Sequence, residues 1–134
     1  MVRLTLYERV GGKDWFVQLV DRFYDAVAMD PVVRPMYPDD LAPARAHLAG
    51  FLVQYWGGPA EYEAERGHPR LRRRHAPFGI GEIERDAWLT HMSAAVRAGG
   101  LRPVDEAEVL TYFEHASFGL INSPGGAAGP PGLA

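Results

Sequence analysis

The stretch from residue 14 to residue 29, DWFVQLVDRFYDAVAM, decides the fold class of this 134-residue chain. Its large apolar residues recur at steps of three and four positions, and they are Phe16, Leu19, Val20, Phe23 and Val27. In an α-helix this spacing places all of them on one face, which must pack against other parts of the chain. We therefore predict a helix from Asp14 to Met29 with one buried face.

Three further stretches downstream show the same periodicity. One helix begins with Pro43 in its first turn, carries an apolar stripe and ends at Gly57-Gly58-Pro59; the stripe is Ala44, Leu48, Phe51, Leu52 and Tyr55. Two more helices are predicted over Ile83–Arg97, which Gly99-Gly100 follows, and over Asp105–Ile121. Shorter helical turns fit Val32–Met36, between prolines, and Arg70–Ala76, before Pro77. No alternating strand pattern competes, so we predict an all-α fold.

Length and composition predict a single domain over residues 1–123, followed by a disordered tail over residues 124–134 that is rich in glycine and proline. The formal net charge of −3 argues against a nucleic-acid partner. With no cysteine, disulfides, thiolate catalysis and iron–sulfur clusters are excluded, so metal chemistry must use histidine or carboxylate ligands. We expect no secretory signal and no membrane segment, and the cytoplasm as the location.

The chain has five histidines, which are its only imidazole ligands: His47, His68, His75, His91 and His115. His75 differs from the others because it ends the short basic segment Arg72-Arg73-Arg74-His75 and is followed by apolar residues. An imidazole placed there would lie at a pocket wall and could bind iron, if an acceptor oriented its second ring nitrogen. On the pattern alone, a structural role and a ligand role for His75 are equally open.

A flat apolar cofactor held by one histidine would need an opposite wall. The helix that carries Ala44, Leu48, Phe51 and Leu52 could provide it. Tyr24, Tyr37 and Trp88 could then donate a hydrogen bond to a gas bound at the iron, since such a gas carries partial negative charge. The alternative for each of these aromatics is that it only fills the core.

Three segments resemble the truncated, two-over-two haemoglobins of group II. They are FYDAVAMDPVVRPMYPDDL at 23–41, FLVQYWGGPAEYEAERGHPRLRRRHAPFGI at 51–80 and ERDAWLTHM at 84–92. The resemblance runs from about Tyr7 to Pro124. It implies a two-over-two globin fold around haem b, with His75 as the proximal iron ligand and Tyr24, Tyr37 and Trp88 as the polar residues on the opposite, distal side.

The resemblance also implies a set of haem-contacting residues, with no residue assigned as catalytic. Ala44 takes the distal-helix position where many haemoglobins carry histidine, and Leu48 lies one turn deeper. The candidates for holding the haem propionates are His47, Tyr62, His68 and Arg72. The complete expected set is Ala44, His47, Leu48, Phe51, Leu52, Tyr62, His68, Arg72, His75 and Phe78.

By this resemblance the chain binds O2, and other diatomic gases such as CO or NO, reversibly and tightly. Slow release suits redox handling of O2, NO or peroxide with a reductase better than bulk transport. Activity like that of an NO dioxygenase or a peroxidase is left open, as is a homodimer. The alternative is a haem-based gas sensor or ligand carrier without turnover, and a third reading is a haem-free helical interaction domain.

Overall fold

The computed structural model describes residues 4–59 and 81–119. These residues form five α-helices and one 3-10 turn, Arg34–Met36. The helices are α1 (Leu6–Arg9), α2 (Lys13–Ala28), α3 (Ala42–Tyr55), α4 (Glu82–Arg97) and α5 (Pro103–Phe118). The described part of the chain contains no β-strand, which confirms the all-α prediction. None of its helices is long and apolar enough to cross a membrane.

All four predicted long helices are present, and most of their ends lie within one or two residues of the prediction. The largest difference is in α5, which begins at Pro103 and ends at Phe118 instead of spanning Asp105–Ile121. Proline suits the first turn of a helix because the missing N–H would have no partner there. At the other end, Gly119 caps the helix. The predicted short helix Arg70–Ala76 and the predicted tail lie outside the described residues.

The first helix, α1, spans only four residues and was not predicted from the sequence. It is held by a capping box: the Glu8 carboxylate accepts from the Thr5 backbone N–H at 2.9 Å, and the Thr5 hydroxyl accepts from the Glu8 N–H at 3.2 Å. Leu6 is buried in the core. Packing and capping therefore stabilise a helix too short for periodicity to reveal.

The core lies between two helix pairs. α2 packs against α3, α4 packs against α5, and α2 also packs against α4. The largest fully buried side chains at these contacts are aromatic and aliphatic: Trp88, Tyr24, Phe16, Phe23, Phe113, Leu19, Leu48, Leu52 and Met92. Burial of this apolar surface is the main force that holds the pairs together.

The Gly57-Gly58 pair ends α3 as predicted and allows α1 to pack against its carboxyl end. Gly57 has φ of 101°, a conformation that glycine adopts without strain. A Cβ atom on Gly58 would lie 2.5 Å from Val53 Cγ1 and 2.7 Å from the Tyr7 ring, so a larger residue would force these side chains to move. The Tyr7 N–H donates to the carbonyl of Trp56 at 3.0 Å.

A buried carboxylate joins the first and last described helices. Asp105, 4% exposed, accepts from Arg9 Nε of α1 at 3.1 Å and from Arg102 Nε at 3.1 Å. A buried charge needs such partners because its loss of hydration is costly. The contact fixes the amino-terminal segment against α5.

Candidate functional site

The structure brings together the three polar aromatic residues that the sequence analysis singled out. Tyr24 lies on α2, Tyr37 follows the 3-10 turn, and Trp88 lies on α4. The rings of Tyr24 and Tyr37 meet edge to face, with their centroids 5.3 Å apart. Phe23 contacts both Tyr24, at 4.9 Å, and Trp88, at 5.4 Å. We call Tyr24, Tyr37 and Trp88 the polar aromatic cluster.

Both phenols of this cluster are neutral hydrogen-bond donors near neutral pH. Burial raises the pKa of Tyr37, although the nearby Trp88 N–H and Tyr24 hydroxyl act in the opposite direction. Burial, and then the neighbouring Tyr37, raise the pKa of Tyr24 well above its usual value, while Arg45 opposes this shift. Each side chain can therefore donate an O–H to a ligand but carries no charge.

The indole N–H of Trp88 is the feature that best marks this cluster as a binding site. Trp88 is fully buried, and its Nε1–H lies near the Tyr37 hydroxyl but completes no hydrogen bond with any residue in 4–59 and 81–119. Leaving a buried donor unsatisfied costs about 1 to 3 kcal/mol. A ligand with a partially negative atom beside Trp88 would remove that cost.

One face of α3 carries the apolar residues expected to form the wall of a cofactor pocket. Leu48 and Leu52 are completely buried, whereas Ala44, His47 and Phe51 are half-buried. A haem contact for any of these five residues stays a prediction.

Two arginines that the sequence analysis did not select hold the cluster in place. Arg45 of α3 bonds to α2 at Asp21, 3.2 Å, and at Asp25, 2.9 Å, and its guanidinium lies 5.9 Å from the centroid of the Tyr24 ring. Arg34 donates to the carbonyls of residues 37, 38 and 39 at 2.9 to 3.2 Å. No sequence pattern marks either arginine, because their partners are identified only by the folded backbone.

The remaining predicted site residues lie outside the described residues. These are Tyr62, His68, Arg72, His75 and Phe78. Within the described ranges, no group of three or more histidine or acidic side chains is arranged to hold a metal ion. The assignment of His75 as iron ligand therefore stays a prediction.

Similarity to known proteins identifies the family of this chain. The sequence profile of the bacterial-like globin family matches residues 5–121. Over 95 residues, 71% of each chain, the sequence is 45% identical to the group 2 truncated haemoglobin YjbI of Bacillus subtilis. The chain belongs to the group II truncated haemoglobins.

Solved structures of truncated haemoglobins share the fold. A thermostable haemoglobin from Thermobifida fusca superposes with a TM-score of 0.86 at 52% identity, over 90% of this chain and 99% of that one. The group II truncated haemoglobin of Bacillus anthracis gives a TM-score of 0.86 at 35% identity, over 92% and 95% of the two chains. The predicted two-over-two globin fold is confirmed.

As a truncated haemoglobin, the chain binds haem and a diatomic gas. The described residues fit the gas-binding side of such a site on three counts. Trp88 offers a buried N–H that completes no hydrogen bond among them, Tyr24 and Tyr37 offer neutral hydroxyls, and α3 offers an apolar wall.

The raised tyrosine pKa values lead to a prediction for alkaline solutions. Burial raises the pKa of Tyr24, Tyr37 and Tyr112, so their neutral forms stabilise the fold below about pH 10, the usual tyrosine value. This contribution is lost as the pH rises through the raised values. We expect phenolate absorbance to show these three tyrosines ionising only with unfolding, above pH 10.

The Tyr37→Phe variant provides the control, since it should lose one late-ionising tyrosine and unfold at higher pH than the parent chain. Ionisation of all six tyrosines near pH 10, while the circular dichroism of the fold is intact, would contradict the burial of these phenols.

Proposed function

We propose that this truncated haemoglobin binds haem b through His75 and retains O2, and other diatomic gases such as CO and NO, by hydrogen bonds from the polar aromatic cluster. The observation that carries the proposal is the fully buried Trp88, whose indole N–H lies near the Tyr37 hydroxyl but completes no hydrogen bond among the described residues. When bound, haem b supplies an iron atom with one coordination position free for a gas.

The polar aromatic cluster retains the gas by donating hydrogen bonds. Trp88 donates its N–H to the partially negative atom of the ligand, and the hydroxyls of Tyr37 and Tyr24 extend the donor set. The surrounding Phe23 and Leu48 are completely buried and exclude water, which would otherwise compete for these donors. Retention therefore comes from oriented donors in an apolar environment.

The residues proposed to hold the haem come from both sides of the pocket. His75 supplies the single nitrogen ligand, and a carbonyl near the end of its short segment would orient its other ring nitrogen. Leu48, Phe51, Leu52 and Phe78 supply apolar contact beside the small Ala44. Basic and phenolic groups suit the propionates, and His47, Tyr62, His68 and Arg72 are proposed for that role.

Tight retention favours a redox role over bulk transport of O2. We propose the cytoplasm as the location. A protein that releases its gas slowly delivers little of it, but it holds the gas long enough for reaction with NO or for reduction. We propose that a reductase supplies the electrons and that O2, NO or peroxide is the substrate. The structure of a Bacillus subtilis relative is described as that of an oxygen-avid truncated haemoglobin, which supports tight retention here.

Steady-state assays test this redox role. We expect the haem-loaded protein to consume NO in the presence of O2 and a reductant, or to oxidise a reductant with peroxide, over many cycles. A gas sensor built on the same site would change its absorbance spectrum once and show no turnover. A spectral change without turnover in either assay would therefore contradict the redox proposal and favour the sensor.

A further inference from the structure

Three polar contacts join α2 to α4 along the length of this antiparallel pair. Trp15 Nε1 donates to the carbonyl of Gly99 at 2.8 Å, and Arg22 Nε donates to that of Ala95 at 3.1 Å. The third contact, His91 Nε2 to Asp30 Oδ2 at 2.6 Å, joins α4 to the residue that follows the carboxyl end of α2. His91 lies three residues after Trp88, on the same side of α4.

Both carboxylate oxygens of Asp30 are used. Oδ1 accepts the backbone N–H of Val32 at 2.9 Å, and Oδ2 contacts His91. Because a carboxylate only accepts, His91 must donate its Nε2–H. This hydrogen bond lowers the pKa of Asp30, and both side chains are about one-fifth exposed, 23% for His91 and 21% for Asp30. The contact is therefore short, oriented and partly protected from water.

Asp30 also begins the segment that ends at Tyr37. Its carbonyl accepts from the N–H of Arg34 at 2.9 Å, and the buried Val33 and Met36 then anchor the 3-10 turn in the core. The segment is short and compact, so a shift of Asp30 relative to α4 would shift Tyr37 relative to Trp88.

We propose that the Asp30–His91 pair positions Tyr37 against Trp88 and thereby sets how long a bound gas is retained. The inference rests on the proposed function of the polar aromatic cluster. Asp30 and His91 are positioning residues, since they act on the gas through the orientation of Tyr37 and Trp88. The Trp15–Gly99 and Arg22–Ala95 contacts lie farther along the helix pair. They hold the helices together but do not position Tyr37.

The test compares O2 dissociation rates of haem-loaded variants. His91→Phe keeps a ring but removes the donor, and we expect O2 to dissociate about 2- to 12-fold faster, the equivalent of one ordinary hydrogen bond. Asp30→Asn should change the rate in the same direction. His91→Gln keeps an N–H donor and should restore most of the parent rate.

Trp15→Phe is the matched control, because it removes a hydrogen bond of similar length at the far end of the same helix pair. It should lower the thermal midpoint but leave O2 dissociation unchanged. Hydrogen exchange at the Trp88 indole, measured by NMR in the CO complex, gives a second readout. Once corrected for the free energy of unfolding of each variant, it reports local opening at Trp88, which a purely structural role would not change. We expect faster exchange in His91→Phe but not in Trp15→Phe.

Two outcomes would overturn the inference in distinguishable ways. If Trp88→Phe speeds O2 dissociation while His91→Phe and Asp30→Asn change neither the rate nor the indole exchange, the pair has only a structural role. If Trp88→Phe itself leaves the rate unchanged, the proposed function fails and the inference fails with it. Should His91→Phe not fold, Asp30→Ala, which removes both acceptor oxygens, decides between these outcomes.

Discussion

Replacing His75 with alanine is expected to abolish the Soret band of the haem-reconstituted protein, or to make the band depend on added imidazole. The imidazole of His75 is proposed as the only protein bond to iron, so its removal leaves the haem held by apolar and propionate contacts alone. Added imidazole can enter the space left by the side chain and restore the bond. The measurement is an absorbance spectrum of the reconstituted variant with and without imidazole.

His115→Ala is the matched control for this experiment. His115 lies on α5 with an exposed side chain, so its loss removes an imidazole but none of the proposed haem contacts. Its spectrum should equal that of the parent chain. A normal Soret band in His75→Ala, without imidazole, would show that another residue binds the iron.

The Trp88→Phe variant is expected to release O2 faster by a factor of roughly 5 to 150, because loss of one buried hydrogen bond costs about 1 to 3 kcal/mol. Phenylalanine keeps an aromatic ring against Phe23 and Phe113, which lie 5.4 and 6.1 Å from the Trp88 ring centroid. The change therefore removes the donor with little loss of packing. Stopped-flow measurement of O2 dissociation checks the prediction.

Trp56→Phe is the matched control, because it removes an indole N–H at a different place in the fold. Trp56 also has a buried N–H without an acceptor among the described residues, but its ring packs on Tyr55 and Tyr112, at 5.0 and 5.4 Å. Its replacement should leave the O2 dissociation rate unchanged. Equal rates in Trp88→Phe and the parent chain would mean that the indole of Trp88 does not reach the gas.

Much of the fold was predictable because apolar residues recur every three or four positions in long helices with a buried face. The stripe from Phe16 to Val27 lies on the buried face of α2, as expected. The short α1 was not predicted because four residues are too few to show a helical period. A capping box and contact with the end of α3 stabilise it instead. α5 ends three residues before the predicted Ile121, because Gly119 caps it although apolar residues follow in the sequence.

The polar aromatic cluster was only partly predictable. Residue patterns indicated Tyr24, Tyr37 and Trp88 as candidates but did not distinguish hydrogen-bond donors from residues that only fill the core. The donor role was implied by the resemblance to truncated haemoglobins. The structure adds their proximity and a Trp88 N–H that completes no hydrogen bond in the described part of the chain. The Asp30–His91 contact and the bonds from Arg34 to three carbonyls could not be predicted, because no regular spacing of residues in the sequence indicates them.

The most direct test of a haem site that binds diatomic gases is the absorbance spectrum of the reduced protein with and without CO. We predict a coloured protein whose Soret band sharpens and shifts when CO is added, because one position at the iron is open. A chain that stays colourless after addition of hemin, or a reduced spectrum that CO does not change, would contradict the account.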